Sequence, residues 1–434
     1  MNRASTRVPI LPILTVNFVG TLGFSIVLPS LVFLVTRFGG NALVFGLMGA
    51  TYSFFQLLGA PILGRWSDRY GRRRILLLSA LGTFVSWAVF LAALTLPSRT
   101  MLSVDSPVLG AFTLTLPLLA LFIARALAGL TGGDVSIANA YLADISDDAD
   151  RSANFGRMAV ASNLGFVFGP ALAGLLGAAG MGEVVTVVAA LLISVVACLL
   201  VGFGLPDSTL CVLDTNPEHV NLSKLFGQAQ KECFSMPAAP KLRLAEVLAL
   251  PSMKVLLAVY FLVFLAFNLF YVAFPVYAAT GIRWSLKEVG LYFSAMGLMM
   301  ALVQGPLLNR LSRRWSERKL ALGGSVVLAT SFPFFTSSST AIIYLGTGLL
   351  AIGNGIMWPS LLAILSRTTD RTVQGAVQGF ASSAGAIASI AGLLLGGLLY
   401  HAVGNRVFLI CAVLVALSGG LCLRLPARSK IAAG

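Results

Sequence analysis

Charge is what this 434-residue chain has least of. Asp, Glu, Lys and Arg together make up 11% of it, against about 25% in soluble domains. So sparse a polar complement excludes a water-soluble globular fold. Histidine is limited to His219 and His401, and the five cysteines (Cys198, Cys211, Cys233, Cys411 and Cys422) show neither disulfide nor metal-ligand spacing. No metal and no cofactor is therefore expected. A Gly-x-x-x-x-Gly-Lys phosphate loop is also missing, which rules out direct drive by ATP. No nucleophile–base pairing suggests catalysis, and the chain is not expected to be an enzyme.

What the chain has in abundance is apolar length. Hydrophobic residues reach 57% and the mean hydropathy is +0.90. Apolar runs of about 20 residues, each long enough to cross a bilayer as a helix, recur along it. Twelve helices are expected, at 10–36, 43–63, 74–97, 114–143, 156–179, 183–205, 252–279, 287–309, 319–337, 340–366, 376–400 and 404–424. The expected fold class is an all-α polytopic membrane protein. The first run follows Arg3 and Arg7, yet it is too long for a signal peptide and no small-residue cleavage site follows it. It reads as a retained helix.

The basic excess, 30 Lys and Arg against 16 Asp and Glu, would suggest nucleic acid in a soluble protein. Here the cations gather in short connections, where they anchor a chain at the lipid surface and mark the cytoplasmic side. The densest cluster is Gly64-Arg65-Trp66-Ser67-Asp68-Arg69-Tyr70-Gly71-Arg72-Arg73-Arg74. Nearly all the other cations fall on the same side. Only Arg37, Arg99, Arg283, Lys287 and Arg406 lie opposite, and Arg125 sits inside the fourth segment. Both termini are thus expected in the cytoplasm, with the bilayer as partner and no nucleic acid.

One long polar stretch, 206–251, interrupts the pattern and divides the segments six and six. It reads as a cytoplasmic linker, with a short surface helix around Leu222–Cys233, between bundles at 1–205 and 252–434. The bundles repeat each other. Pro61-Ile62-Leu63-Gly64-Arg65-Trp66-Ser67-Asp68-Arg69 aligns with Pro306-Leu307-Leu308-Asn309-Arg310-Leu311-Ser312-Arg313-Arg314, and Asp150-Arg151…Asn154…Ser162…Gly165 aligns with Asp370-Arg371…Gln374…Ser382…Gly385. Parallel halves of six helices place a substrate site between them, near the midplane.

Several motifs then resemble one family. Gly64-x-x-x-Asp68-Arg69-x-Gly71-Arg72-Arg73 is similar to its loop motif between the second and third helices. Arg125-Ala-Leu-Ala-Gly129-Leu-Thr-Gly-Gly133 and Ala143-Asp144-Ile145, followed by Asp150-Arg151, resemble its fourth-helix motif and that helix's cytoplasmic end. Gly165-Phe-Val-Phe-Gly169-Pro170-Ala-Leu-Ala-Gly174 looks like the fifth-helix motif of exporters. Gly353-Asn-Gly355…Pro359…Gln374-Gly375…Gln378-Gly379 is similar to the run from the tenth to the eleventh helix. The family is the major facilitator superfamily, and within it the twelve-helix drug:proton antiporter branch that includes tetracycline-type efflux proteins. The resemblance spans essentially the whole chain. It implies a monomer in the cell membrane, the inner membrane of a bacterium, moving a small molecule and coupled to protons. Two positions depart from the pattern. Gly20, ahead of Pro29, and Tyr271, ahead of Phe274-Pro275, stand where family members often carry acids.

Two charges lie at membrane depth. A charge there costs about 2.5–3.5 kcal/mol on insertion scales. Arg125 is either a structural group bonded to neighbouring carbonyls or a functional one that tunes a carboxylate or binds an anion. Asp134, the only carboxylate deep in an expected helix, is either a proton carrier or an acid satisfied by neighbouring polar groups. On a continuous helix the two would stand about 13.5 Å apart and on opposite faces. Asn17, Gln56, Asn268, Tyr271, Gln304, Asn354 and Trp358 are further polar or amphipathic groups inside helices. The resemblance implies a cavity lined by the first, fourth, seventh and tenth helices, which favours Asn17, Asn268, Tyr271, Asn354 and Trp358.

Gly165, Gly169, Pro170 and Gly174 are expected to bend the fifth helix and admit a close neighbour. Gly64, Asp68, Arg69, Gly71, Arg72 and Asp144 are expected to form a gating latch, with Asp144 paired to Arg65 or Arg69 and, by resemblance, Asp68 facing the start of the eleventh helix. The expected function is proton-coupled export of an amphipathic small organic molecule by alternating access. The alternatives are a facilitator or importer of a metabolite or siderophore without proton coupling, and more remotely an intramembrane enzyme or receptor.

Overall fold

The structure is a computed structural model that describes residues 9–146, 150–178, 182–206, 244–250, 252–367 and 374–425. Eleven helical stretches are long and apolar enough to cross a membrane. The last of them, Gly379–Cys422, contains two helices that meet at Gly404–Arg406, so the described residues make twelve crossings. They are α1 (Leu11–Arg37), α2 (Ala42–Tyr70), α3 (Arg72–Ala93), α4 (Leu116–Ile145), α5 (Arg151–Leu176), α6 (Gly182–Gly204), α7 (Met253–Gly281), α8 (Leu286–Ser312), α9 (Glu317–Thr336), α10 (Thr340–Arg367), α11 (Gln374–Val403) and α12 (Val407–Cys422). A short helix, Leu244–Ala249, precedes α7. The helix expected around Leu222–Cys233 lies outside the described residues.

Three features depart from the sequence reading. α1 is interrupted at Ile26–Val27, because Pro29 supplies no amide to the preceding turn. α4 starts at Leu116 rather than 114 and breaks at Gly132–Gly133 before resuming at Asp134. Two consecutive glycines hold a helix poorly. The third feature is a hairpin in the connection before α4, β1 (Thr100–Ser106) and β2 (Gly110–Thr115), antiparallel with Val104 opposite Phe112 and Ser106 opposite Gly110. Phe112 and Leu114 pack onto the first bundle's core. Asn41, which also caps α2 by accepting from the Val44 amide at 3.1 Å, donates to the Leu109 carbonyl at 2.9 Å.

Each bundle has its own apolar core, one around Trp87, Phe90 and Leu121, the other around Phe270, Phe274 and Phe408. Outward-facing side chains such as Phe54, Leu58, Leu192, Leu199 and Val413 remain exposed, as they do where the solvent is hydrocarbon. The bundles meet along α2 with α11 and along α5 with α8. At the hairpin end this contact is backbone to backbone. Gly46 of α2 rests on the Leu393 carbonyl, and Gly174 of α5 comes within reach of the Lys287 carbonyl and Gly290 of α8. At the arginine-loop end, a side chain built on Gly64, Gly156, Gly305 or Gly379 would meet no described atom within 4 Å. Among the described residues, the halves meet backbone to backbone at the hairpin end and show no such contact at these glycines of the other end.

The arginine loop turns at Gly71, whose φ of 109° is open to glycine and strained for other residues. Arg73 then reaches the Val201 carbonyl at 3.3 Å and the Gly202 carbonyl, at the last turn of α6. Its counterpart in the second half, Arg318, donates to the Leu423 carbonyl at the end of α12. Both arginines satisfy carbonyls that a helix terminus leaves free.

Candidate functional site

Two chambers lie in the membrane-spanning region. The larger, about 470 Å³, sits between the halves and is lined by α1, α2, α4 and α5 from one side and α7, α8 and α11 from the other. Its wall is mostly apolar and aromatic, with Phe24, Phe166, Tyr271 and Phe293 prominent and Asn163, Asn268 and Gln304 adding polarity. The smaller, about 420 Å³, is enclosed by the first bundle alone. Phe24, Tyr52, Arg125 and Phe166 line both, so the chambers adjoin there.

Arg125 is 3% exposed. The faces of Tyr52, Trp87 and Phe90 surround its guanidinium carbon at 5.8–5.9 Å, a distance at which ring quadrupoles attract a cation. Its Nε and Nη2 have no hydrogen-bond partner among the described residues. The structural alternative, an arginine fully bonded to neighbouring carbonyls, is therefore not what the geometry provides. Asp134 lines only the smaller chamber. Because α4 breaks before it, the separation calculated on a continuous helix does not apply. Asp134 opens a new helical segment, where its carboxylate faces its own amide and that of Val135, and an acid in a first turn matches the local dipole. No ion pair joins it to Arg125 among the described contacts. Its Oδ2 lies 3.4 Å from where a side-chain carbon on Gly20 would stand. The missing acid on α1 is thus matched in space by one from α4.

The remaining expected cavity groups divide. Asn268 and Tyr271 line the chamber between the halves, with Asn268 donating to Ser389 Oγ at 3.0 Å and Tyr271 stacked 6.1 Å from Phe293. Asn17 is buried between α1 and α5, bonded to Ser162 Oγ at 2.6 Å and the Met158 carbonyl at 3.2 Å, and faces the smaller chamber. Asn354 and Trp358 line neither. Asn354 approaches Met300 Sδ at 3.9 Å, and Trp358 packs between Tyr260 and Phe264. α2, α5, α8 and α11 supply the wall that α10 does not. Tyr52, Phe24, Asn163 and Phe166 escaped the sequence reading. A Tyr52–Gln56 pair at i,i+4 would have marked one face of α2.

The glycines of α5 serve close approach. A side chain on Gly169 would strike Ser25 of α1, one on Gly165 would lie 2.8 Å from Thr21 Cβ, and Gly174 faces α8. The Pro170 carbonyl also faces Gly290. At the loop, Asp144 pairs with Arg72 (Nε to Oδ2, 2.9 Å), not with Arg65 or Arg69. Arg65 turns back to the Pro61 carbonyl and Arg69 lies over the Tyr70 ring, each within its own helix. Arg72 also pairs with Asp68 and donates to Ser67 Oγ at 2.8 Å. Asp68 is 63% exposed. The side chains at the start of α11 expected to face it lie outside the described residues. The Gly64 carbonyl accepts from Ser67 Oγ at 2.7 Å, and a side chain built on Gly64 would meet no described atom within 4 Å.

Comparison with known proteins accords with this architecture. The family model described as Major Facilitator Superfamily matches residues 13–304 and 256–433. The chain is 26% identical to the class C tetracycline resistance protein of Escherichia coli, over 95% of this chain and 96% of that one. It is 29% identical to the class G tetracycline resistance protein of Vibrio anguillarum, over 90% and 92%. The crystal structure of a D-xylose–proton symporter superposes with a TM-score of 0.71 at 15% identity, covering 96% of this chain and 98% of that one, a likeness of fold. On the family match, the chain is a multi-pass membrane transporter, not an enzyme, and belongs to the Major Facilitator Superfamily.

Proposed function

We propose that this transporter exports an amphipathic small organic molecule, a drug-like compound among them, in exchange for protons. One observation carries the reading: a largely aromatic chamber between two halves adjoins a second chamber that holds Asp134, the only acidic side chain among the described residues that line either space. An apolar wall with a few polar groups suits a flat, partly polar solute. Asp134 is assigned the proton and Arg125 the modulation of its charge. The halves 1–205 and 252–434, joined by 206–251, rock about the chamber. Asp68, Arg72 and Asp144, with Gly64, Arg69 and Gly71, form the latch at the arginine-loop side. That side is assigned to the cytoplasm of a bacterial inner membrane, with both termini there, and the cavity is assigned as open inward. The chain works as a monomer. The tetracycline resistance proteins to which it is similar support the drug-export part of the proposal.

Flux in proteoliposomes under an imposed pH gradient tests it. Gradient-driven flux should fall at least about tenfold in Asp134→Asn, since only a titrating carboxyl carries the proton. Unchanged flux would remove Asp134 from that role. A second reading is facilitated movement of a metabolite down its own gradient. It is favoured by the absence of any acidic residue among those lining the chamber between the halves, and it requires flux with no response to pH.

A further inference from the structure

The two chambers touch at four side chains, and these are not equivalent. Phe24 and Phe166 carry no polar atom, and Arg125 keeps its charge across the physiological range. Tyr52 alone at the junction presents a hydroxyl. Its ring lies 5.2 Å from Phe24 and faces the Arg125 guanidinium at 5.9 Å. Its oxygen accepts a hydrogen bond from Gln56 Nε2 at 3.1 Å, and the same amide donates to the Gly132 carbonyl at 3.1 Å. Gly132 is the break in α4, two residues before Asp134. A bonded path therefore runs from the wall of the larger chamber through Tyr52 and Gln56 to the backbone turn that presents Asp134.

The path is held rigidly. Gly129 of α4 lies directly on the Tyr52 carbonyl, so α2 and α4 touch backbone to backbone at that level. The charged groups around it are few. Of the residues lining the two chambers, contributed by α1 to α8 and α11, only Arg125 and Asp134 are charged, and Tyr52 lies within electrostatic reach of both. The Tyr52 hydroxyl accepts from Gln56 and has no acceptor for its own proton among the described residues, which leaves that proton for an occupant of the larger chamber. A solute that takes it, or that displaces the ring, pulls on Gln56 and hence on the Gly132 carbonyl. Buried hydrogen bonds of this kind transmit small shifts because an unmade bond in a low-dielectric interior is costly.

We infer that Tyr52, acting through Gln56, is the positioning residue that couples occupancy of the chamber between the halves to the proton on Asp134. The inference rests on the proton-coupled reading above. Tyr52→Phe removes the one oxygen and keeps the ring against Phe24 and Arg125, and Gln56→Leu breaks the path from the other end. Each variant is reconstituted as the full chain in proteoliposomes, with tetracycline and ethidium as probes and two readouts. Counterflow, the exchange of labelled for unlabelled probe at equal pH, needs binding and rocking but no net proton movement. Uptake driven by a pH gradient needs coupling as well.

Gln56→Leu, which lies outside the larger chamber, should keep counterflow within about twofold of the parent while driven uptake falls about tenfold, the worth of one buried hydrogen bond. Tyr52→Phe, which also loses a hydroxyl facing the solute, should lose clearly more in driven uptake than in counterflow. Equal losses in the two readouts would show a structural or binding role and overturn the inference, as would no loss in either. A parent chain whose uptake ignores the pH gradient, or that moves neither probe, overturns the reading on which the inference rests. In that case Asp134→Asn behaves like the parent, which separates the two failures.

Discussion

A methyl group added at Gly397 would stand 2.5 Å from the Ala42 carbonyl oxygen and 2.6 Å from the Leu43 Cα. Both are backbone atoms, and the α2 cap that positions them is tied to Asn41 and the hairpin. Neither can step aside as a flexible side chain would. Gly397→Ala should therefore push α11 away from α2 at the hairpin end, where the halves meet backbone to backbone, and leave the other end untouched. Overpacking of this kind costs about 1–3 kcal/mol. The strain falls on one conformation, so it appears as a shift of about 5- to 150-fold in the balance between closed and open at that end. The assay is labelling of Val272→Cys, which lines the chamber, by a membrane-impermeant maleimide added on the hairpin side. The five native cysteines are first changed to serine. Labelling should accelerate within that range in Gly397→Ala. An unchanged rate, with the protein folded and monodisperse, would refute the argument that backbone contact of α2 with α11 is what shuts this end.

Asp68→Asn should slow or abolish transport while substrate affinity changes less than about twofold, because the residue sits in the last turn of α2 and lines neither chamber; a large loss of affinity in equilibrium binding would sink the latch assignment. Gly169→Val should lower the thermal unfolding temperature in detergent, since its side chain would occupy the space of Ser25 and the loss is expected to reach at least the about 1–3 kcal/mol of an overpacked core. The same substitution at Gly156, where no described atom lies within 4 Å, is the control and should leave that temperature nearly unchanged.

The twelve crossings were legible because apolar length dictates them, and the repeat exposed the pairing of halves. Local breaks were not. Gly132-Gly133 stands inside an unbroken apolar run, and length alone carries a helix through it. Only the fold shows Asp134 as a first-turn residue rather than a mid-helix one. The hairpin was hidden for a similar reason, as strands of six or seven residues next to long helices add little to a hydropathy pattern. Tyr52 was illegible because its importance lies in which two spaces it borders, and that follows from how α2 sits on α4. Asn354 and Trp358 erred the other way. Both are polar-capable and at the right depth, yet they turn towards their own bundle.

Arg73 and Arg318 have a mechanical consequence. Each fastens the turn between the second and third helices of its half to the end of that half's sixth helix. A row of six helices joined only by neighbour contacts would splay like an open fan, whereas one fastened from an early turn to its last member is a hoop. Load applied at one helix of a hoop is shared around the ring, so the two bodies can tilt against each other without shearing inside.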